Sequence, residues 1–369
     1  MRFFVDTNEL NAGISTVIKA LPARTTVSIL EGIYLKAADN TLLLRCSDLN
    51  IQIETIVAAT VEEEGAIVLP GKLFAEMVRK LTGELTSVDV KKNTASIESG
   101  RFKTTLQGES GADFHAMSSV KPDLTVSIRP DALKRMVRGC IFAAAQDDSK
   151  PILTGAMMEF SEGGATLVAL DGYRLALRRE DTEAFSGSAS NMIIPARSLL
   201  EIARILPEEG EAVKMLFSRT HIMTDIGSTN ITARLMEGEF IKYKQILPDS
   251  HITRVRVNRK ELMDGIDRVA LMARESKSNL IKFTIANSLI NITANSEIGR
   301  SVEDVEASIM GGDIEIAFNA RYFTDVLRVL DEDEIYLDMT NNISPCVVRP
   351  VQGEGFYYLI LPVRIFSGM

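Results

Sequence analysis

One block of sequence occurs three times along this chain of 369 residues, at a spacing near 125, and no other feature constrains the fold as strongly. Its best-matched piece is a short apolar strand running into a helix: IVLPGKLFAEMVRKL, then MIIPARSLLEIARIL, then IEIAFNARYFTDVLRVL. Pro70 to Pro195 is 125 positions and Pro195 to Asn319 is 124. A second strand-helix piece opens each block, in RFFVDTNELNAGISTVIKAL, TVSIRPDALKRMVRGCIFAA and TRVRVNRKELMDGIDRVALM, where Leu10, Leu133 and Leu262 are equivalent. Alternating patterns with turn residues at their centres, such as IYLKAADNTLLLRCSD, AMMEFSEGGATLVALD and IKFTIANSLINITANS, read as antiparallel hairpins. Each block is therefore expected to form two helices on a mostly antiparallel sheet, an α+β domain, with domains at 1–124, 125–252 and 253–369.

The second helix of each block carries a signal beyond packing. At 100° per residue, Leu73, Phe74, Met77, Val78 and Leu81 gather on one face and leave Lys72 and Arg79 opposite. Arg197 and Arg204 occupy the same two offsets in the second block, and Arg321 and Arg328 occupy them in the third. Basic residues are common on any solvated helix, but six matched offsets in a chain of formal charge -9 call for a local role. The net charge argues against a simple nucleic-acid binder, whereas a confined basic surface can act on phosphates while the remainder stays acidic. The opening helices are less regular: Lys134, Arg135 and Arg138 are basic, but the first block has mainly Lys19 and the third has Arg268 among acidic neighbours.

Three similar domains joined head to tail present unlike ends, so a repeating contact closes into a ring or runs on as a filament. Six helices side by side at about 9 Å enclose a hole only about 7 Å wide, too narrow for a duplex. Twelve helices enclose about 25 Å, enough for B-form DNA roughly 20 Å across. The expected assembly is a homodimer whose basic helix faces line a hole and contact phosphates without reading base edges.

Other function classes find little support. No apolar run approaches the roughly 20 residues of a bilayer span, and the opening MRFFVDTNEL reads as no signal peptide, so a cytoplasmic location without membrane association is expected. Cys46, Cys140 and Cys346 are far apart and read as small core hydrophobes. His115, His221 and His251 are isolated, no phosphate-binding glycine loop is present, and the acidic runs Glu62-Glu63-Glu64 and Asp331-Glu332-Asp333-Glu334 read as solvated loops. No catalytic residue, metal or cofactor is expected. A protein-binding scaffold that never encircles DNA is the main alternative, followed by a hydrolase assembled from distant Asp and Arg residues.

The repeats, the segment LVALDGYRLALRRE and the ending YYLILPVRIF together closely resemble the bacterial β sliding clamps, processivity subunits of the replicative DNA polymerase. The strongest local pieces are Asp171 to Ala176 and Leu361 to Arg364; Tyr173 stands where many members have His, and Phe366 to Met369 extend past the usual terminus. The resemblance implies a ring of two protomers and a pocket between the second and third domains that takes a short linear peptide. Polymerase subunits, clamp loader and repair proteins would be the peptide-bearing partners. The implied pocket comprises Leu153, Leu170, Gly172, Tyr173, Arg174, Leu175, Ile241, Ile246, Ile343, Pro345, Leu359, Ile360, Leu361, Pro362, Val363 and Arg364. Aliphatic walls, an aromatic rim and cationic ends suit a peptide with a glutamine and two or three hydrophobic anchors. Asp171-Gly172 also reads as a tight turn and the terminal apolar run as a core strand. The resemblance further places Arg24 and Lys150 against the duplex, and Phe74, Met77, Leu271 and Met272 near the contact between protomers.

Overall fold

Among the described residues six α-helices stand where the repeat places them: α1 Thr7–Val17, α2 Gly71–Val78, α3 Pro130–Cys140, α4 Ala196–Ile205, α5 Arg259–Glu275 and α6 Ala320–Val329. Polar residues set several starts, because a side-chain oxygen at the N-cap satisfies amides that have no helical partner. Asp6 accepts from the N–H groups of Asn8 and Glu9 ahead of α1, Asn258 from Glu261 ahead of α5, and Asn319 from Arg321 ahead of α6. The computed structural model describes residues 1–117, 120–147, 149–161, 163–188, 190–276 and 279–364. Phe366 to Met369, the extended terminus, lie outside the described residues.

The chain forms two compact units whose limits cut through the second block. Met1–Pro130, Glu183–Ser188 and Leu200–Leu235 make the first; Asp131–Thr182, Ala189–Leu199 and Met236–Met369 make the second. In the first unit a 10-stranded sheet runs without a break from the first block into the second. The join is antiparallel pairing of Ile51–Ala58 with Thr229–Arg234, in which Thr55 faces Thr229 and Ile51 faces Ala233. The Thr55 and Thr229 hydroxyls are hydrogen-bonded across it at 2.8 Å. A separate 5-stranded sheet of this unit ends at Phe102–Gln107, which pairs on one side with Thr94–Ser99.

The second unit repeats the device in a 12-stranded sheet. There Arg174–Asp181 of the second block pairs with Phe356–Ile360 of the third, Arg174 facing Ile360 and Arg178 facing Phe356. The long strand Gly299–Met310 pairs with Leu289–Ser296 through Glu306, then with Thr253–Asn258 through Ala307 to Met310. The hairpin turn that leads into each of the equivalent strands Ile51–Ala58, Arg174–Asp181 and Gly299–Met310 is also repeated. Asp48 Oδ1 accepts from the Asn50 N–H, Asp171 Oδ1 from the Tyr173 N–H, and Ser296 Oγ from the Ile298 N–H. One local solution, a polar side chain capping its own turn, thus recurs in all three blocks.

Packing corrects the helical-wheel reading of α2. Phe74, Ala75 and Val78 are buried, but Leu73, expected among them, is 52% exposed. The helix ends at Val78, so its buried stripe is short and narrow, and Arg79 is the C-cap. Cys46, Cys140 and Cys346 are buried free thiols, as expected. The acidic runs are not merely loops: Glu62 and Glu63 lie on the strand Thr60–Glu63, where Glu62 pairs with Arg2. Asp331 and Glu334 are bound by Arg138 and Arg256.

In the third block Phe283, Phe318 and Phe323 form an aromatic triangle with centroids 4.8–5.6 Å apart beneath α6. Phe323 is fully buried, so Phe323→Ala should cost about 3–5 kcal/mol. In denaturant titration the midpoint should fall with the slope retained; an unchanged midpoint would refute this view of the core.

Candidate functional site

Every residue of the expected peptide pocket lies in the second unit. Leu153, Leu170, Leu175 and Leu359 pack with Met157, Val168, Leu177 and Tyr243 in one buried cluster, against which Leu361 rests. This happens because Leu175 and Leu177 point to the same face of their strand, and their cross-strand partners Leu359 and Tyr357 share it. These leucines, 1–4% exposed, belong to the core as fully buried Ile360 does, and they form a floor that underlies the surface without being part of it. Above the floor stand exposed groups: Gly172, Tyr173, Ile241, Ile246, Ile343, Val363 and Arg364, with Pro345, Leu361 and Pro362 half-buried.

The turn between the strands aims the rim. Gly172 adopts φ +94, a conformation costly for other residues, and Asp171 accepts from the N–H groups of both Tyr173 and Arg174. Tyr173 is thereby left 62% exposed and stacked on Tyr322 of α6, with centroids 6.1 Å apart. The Leu361 N–H donates to the Tyr173 carbonyl, and the Val363 N–H to the Ala317 carbonyl, fixing the last described segment beside the turn.

Arg174 does not serve as the cationic end expected of it. Its side chain is 8% exposed and donates to Asp171 at 3.0 Å, to Asp325 of α6 at 2.6 Å and to the Phe142 carbonyl at 2.7 Å. Its guanidinium lies 5.3 Å from the Phe142 ring centroid and 4.9 Å from that of Tyr322. A buried planar cation with three of its five donors so engaged presents little surface to a ligand and acts instead as a tie between the two blocks. Burial, and after it the charge of Asp171, pushes the Tyr322 phenol up, so the ring over this tie stays neutral.

Ile241 and Ile246 lie on the segment between the second and third blocks, separated by its short 3-10 turn Tyr243–Gln245. Tyr243, Glu159, Asp325, Tyr322 and Phe142 were not singled out by sequence. Tyr243 is flanked by residues that point outward, and the other four are distant in sequence with no motif to link them.

The expected DNA-facing residues Arg24, Lys72, Arg79, Lys150, Arg197, Arg204, Arg321 and Arg328 are all exposed. Their charges are not equally available. Arg204 is held by Glu201 at 2.7 Å, Arg328 lies 3.6 Å from Asp267 and Arg321 lies 3.7 Å from Asp325. Of the four residues expected at a protomer contact, Phe74 is fully buried and cannot take part, while Met77 and Met272 are half-buried and Leu271 is 63% exposed. Leu73 is the exposed neighbour, and it lines a cleft of about 540 Å³ with Gln107 at the end of the strand Phe102–Gln107. Sequence reading also missed Phe102, Ile298 and Val302, exposed by 44%, 76% and 51%. Alternation hides Phe102 and Val302, since an apolar side chain on a strand's outer face reads as core until the sheet is known, whereas Ile298 lies in the turn that precedes Gly299–Met310. Among the described residues no His, Cys, Asp and Glu side chains converge into a metal-ligand set, and no helix is long and apolar enough to cross a membrane.

Repeated two-helix blocks whose sheets join edge to edge define the class as a DNA clamp fold. Three family models match in succession: the N-terminal domain of the DNA polymerase III beta subunit over residues 1–118, its central domain over 127–242 and its C-terminal domain over 244–364. The beta sliding clamp of Bacillus subtilis is 31% identical, the alignment covering 99% of this chain and 100% of that one; that of Staphylococcus aureus is 29% identical over the same shares. Among solved structures, the DNA polymerase sliding clamp of B. subtilis superposes with TM-score 0.96 at 31% identity, covering 99% of this chain and 100% of its own. The DNA polymerase III beta subunit of Thermotoga maritima superposes with TM-score 0.92 at 27% identity over the same shares. The chain belongs to the DNA polymerase III beta subunit family, the bacterial β sliding clamps.

Replacing Arg174 by Lys should destabilise the protein by about 3 kcal/mol, because a compact ammonium cannot span the two carboxylates and the carbonyl that three separate nitrogens of the guanidinium reach. Thermal unfolding of Arg174→Lys and Arg174→Ala measures this; wild-type melting in Arg174→Lys would show that the tie is dispensable.

Proposed function

We propose that this protein is a non-catalytic sliding clamp: two protomers close a six-domain ring around duplex DNA, and the groove of the second unit takes short peptides from polymerases, loader and repair proteins. Domains at 1–124, 125–252 and 253–369 are the repeating parts. The observation that carries this reading is a rule of sheet joining, met twice and left open once. The first block's strand Ile51–Ala58 takes the last strand of the second block, and the second block's Arg174–Asp181 takes the last strand of the third. By the same rule the third block's Gly299–Glu306 requires the last long strand of a first block, Phe102–Gln107, which only the two-residue Glu109–Ser110 follows. Among the described residues each of these two edges is paired on one side only. A second copy of the chain supplies both partners, and the contact between unlike edges closes on itself as a ring of two.

The side chains at the open edges support the match. Exposed Phe102 is flanked by Arg101 and Lys103, whereas exposed Ile298 and Val302 are followed by Asp304 and Glu306, so apolar residues meet apolar and basic residues meet acidic. Leu271 and Met272 border the same acidic edge, Met272 touching the position of a Gly299 Cβ. The basic positions of α2, α4 and α6, with Arg24 and Lys150, suit sequence-independent contact with phosphates. Retention would come from topology. Partial neutralisation of Arg204, Arg321 and Arg328 keeps individual contacts weak, as sliding requires. Cellular placement in the cytoplasm follows from this role.

Phe102→Asp and Ile298→Asp should each convert a dimer to a monomer in light scattering and abolish retention on nicked circular duplex, with the wild-type protein released only when the circle is cut. Equal release of wild-type protein from circular and linear DNA would leave a protein-binding scaffold as the better reading. Arg79→Glu, Arg204→Glu and Arg328→Glu combined should lower retention about tenfold and reduce its salt dependence without changing melting; unchanged retention would exclude the helix faces from the DNA contact.

A further inference from the structure

The exposed wall of the groove is held by very little backbone. From Met236 to Ile252 the chain between the blocks contains one three-residue 3-10 turn and no strand, so Ile241 and Ile246 are not positioned by a ladder of hydrogen bonds. The ends are tied, through the Met236 N–H to the Ile193 carbonyl and the Ile252 N–H to the Met339 carbonyl. Between those ends the turn is joined to the sheet through side chains. Tyr243 is 3% exposed, with its ring in the same cluster as Leu153, Leu170, Leu175 and Leu359, the floor of the groove. Its hydroxyl donates to Glu159 at 2.5 Å, and Lys244 Nζ donates to the other oxygen of the same carboxylate at 3.2 Å. Farther along, the Tyr357 hydroxyl donates to the Pro248 carbonyl at 3.3 Å. Glu159 stands on the strand Gly155–Ser161 of the second block, two residues from Met157, itself part of the floor.

We infer that the Tyr243–Glu159 pair positions the groove: it pins the turn against the floor so that Ile241 and Ile246, on either side of Tyr243, stand as a preformed wall for a partner peptide. The inference rests on the peptide-groove reading above. The geometry makes the pin directional. A tyrosine ring buried among leucines could rotate or slide along an apolar floor, but a phenol hydroxyl aimed at one carboxylate has a single place to sit. Burial, and then the Glu159 hydrogen bond, pushes the Tyr243 phenol up, so it remains a donor throughout the neutral range. Glu159 is a positioning residue and does not itself reach the groove's exposed face, being spent on Tyr243 and Lys244. A wall fixed before the peptide arrives saves the cost of ordering it on binding, so loss of the pin is read in affinity.

The test compares wild type, Tyr243→Phe, Glu159→Gln and Glu159→Ala in binding of a fluorescein-labelled peptide Gln-Leu-Ser-Leu-Phe, which carries a glutamine and three apolar anchors. Tyr243→Phe and Glu159→Ala should each raise Kd about tenfold, and combining them should be no worse than Glu159→Ala alone, which already removes the Tyr243 bond together with that to Lys244. Glu159→Gln keeps an oxygen to accept from the phenol and should bind nearly as the wild type does. Melting and dimer formation on the full chain should stay close to wild type in all four. Wild-type affinity in Tyr243→Phe, with the wild type itself binding, overturns the positioning role and leaves the groove intact. Absence of binding by the wild type overturns the groove reading and the inference with it. Losses in affinity that merely follow losses in melting temperature, with no recovery in Glu159→Gln, also overturn it.

Discussion

An open β-strand edge is an unsatisfied row of hydrogen-bonding groups, and the architecture of this chain is largely an answer to that constraint. Each block could have blunted its edges alone, with bulges, prolines or charges. Instead one block's edge is completed by the last strand of the next, twice within the chain. Because the completing strand always lies at the end of a block, the block is the unit of sequence repetition without being a unit of structure. This explains why compactness divides the second block between two units although the repeat is clear in sequence.

The groove inherits its stiffness from the second of these joins. The floor of the proposed groove is the shared face of Arg174–Asp181 and Phe356–Ile360, so the buried leucines beneath its surface are held by a continuous sheet. Arg174 then ties the turn to α6 through Asp171 and Asp325. A cation set among two carboxylates, a carbonyl and two rings is costly to desolvate and gains little net stability, but it specifies one arrangement of the turn relative to the helix. The rim tyrosine stacks on that arrangement. Rigid floor and tied rim leave the segment carrying Ile241 and Ile246 as the part of the groove with the fewest backbone restraints.

Much of the fold was legible in the sequence because repetition triples every local signal. The six helices, the antiparallel hairpins and the buried cysteines all followed from spacing and alternation. Less legible was what depends on which strand neighbours which. Phe74 and Leu73 are adjacent on a short helix, and hydrophobicity cannot say which enters the core; the structure buries the phenylalanine. Arg174 reads as a groove cation because sequence shows a basic residue in a turn and cannot show Asp325, 151 positions away, which binds it. The Tyr243–Glu159 bond spans 84 positions and belongs to no repeat, so nothing in the first or third block announces it.

The edge-to-edge joins also set an order of events during synthesis. Thr55 and Thr229 are 174 residues apart, so at roughly 5–20 residues per second the strand Ile51–Ala58 waits about 9–35 s for its neighbour to leave the ribosome. During that interval the nascent first block carries an open edge bearing Ile51, Ile53 and Val57. Thr55 interrupts this apolar row and later finds a specific partner in Thr229, while Gln52, on the opposite face, accepts from the Met117 amide. Polar residues at a buried seam thus act as gatekeepers in time, discouraging the wrong strand while the right one is still being made.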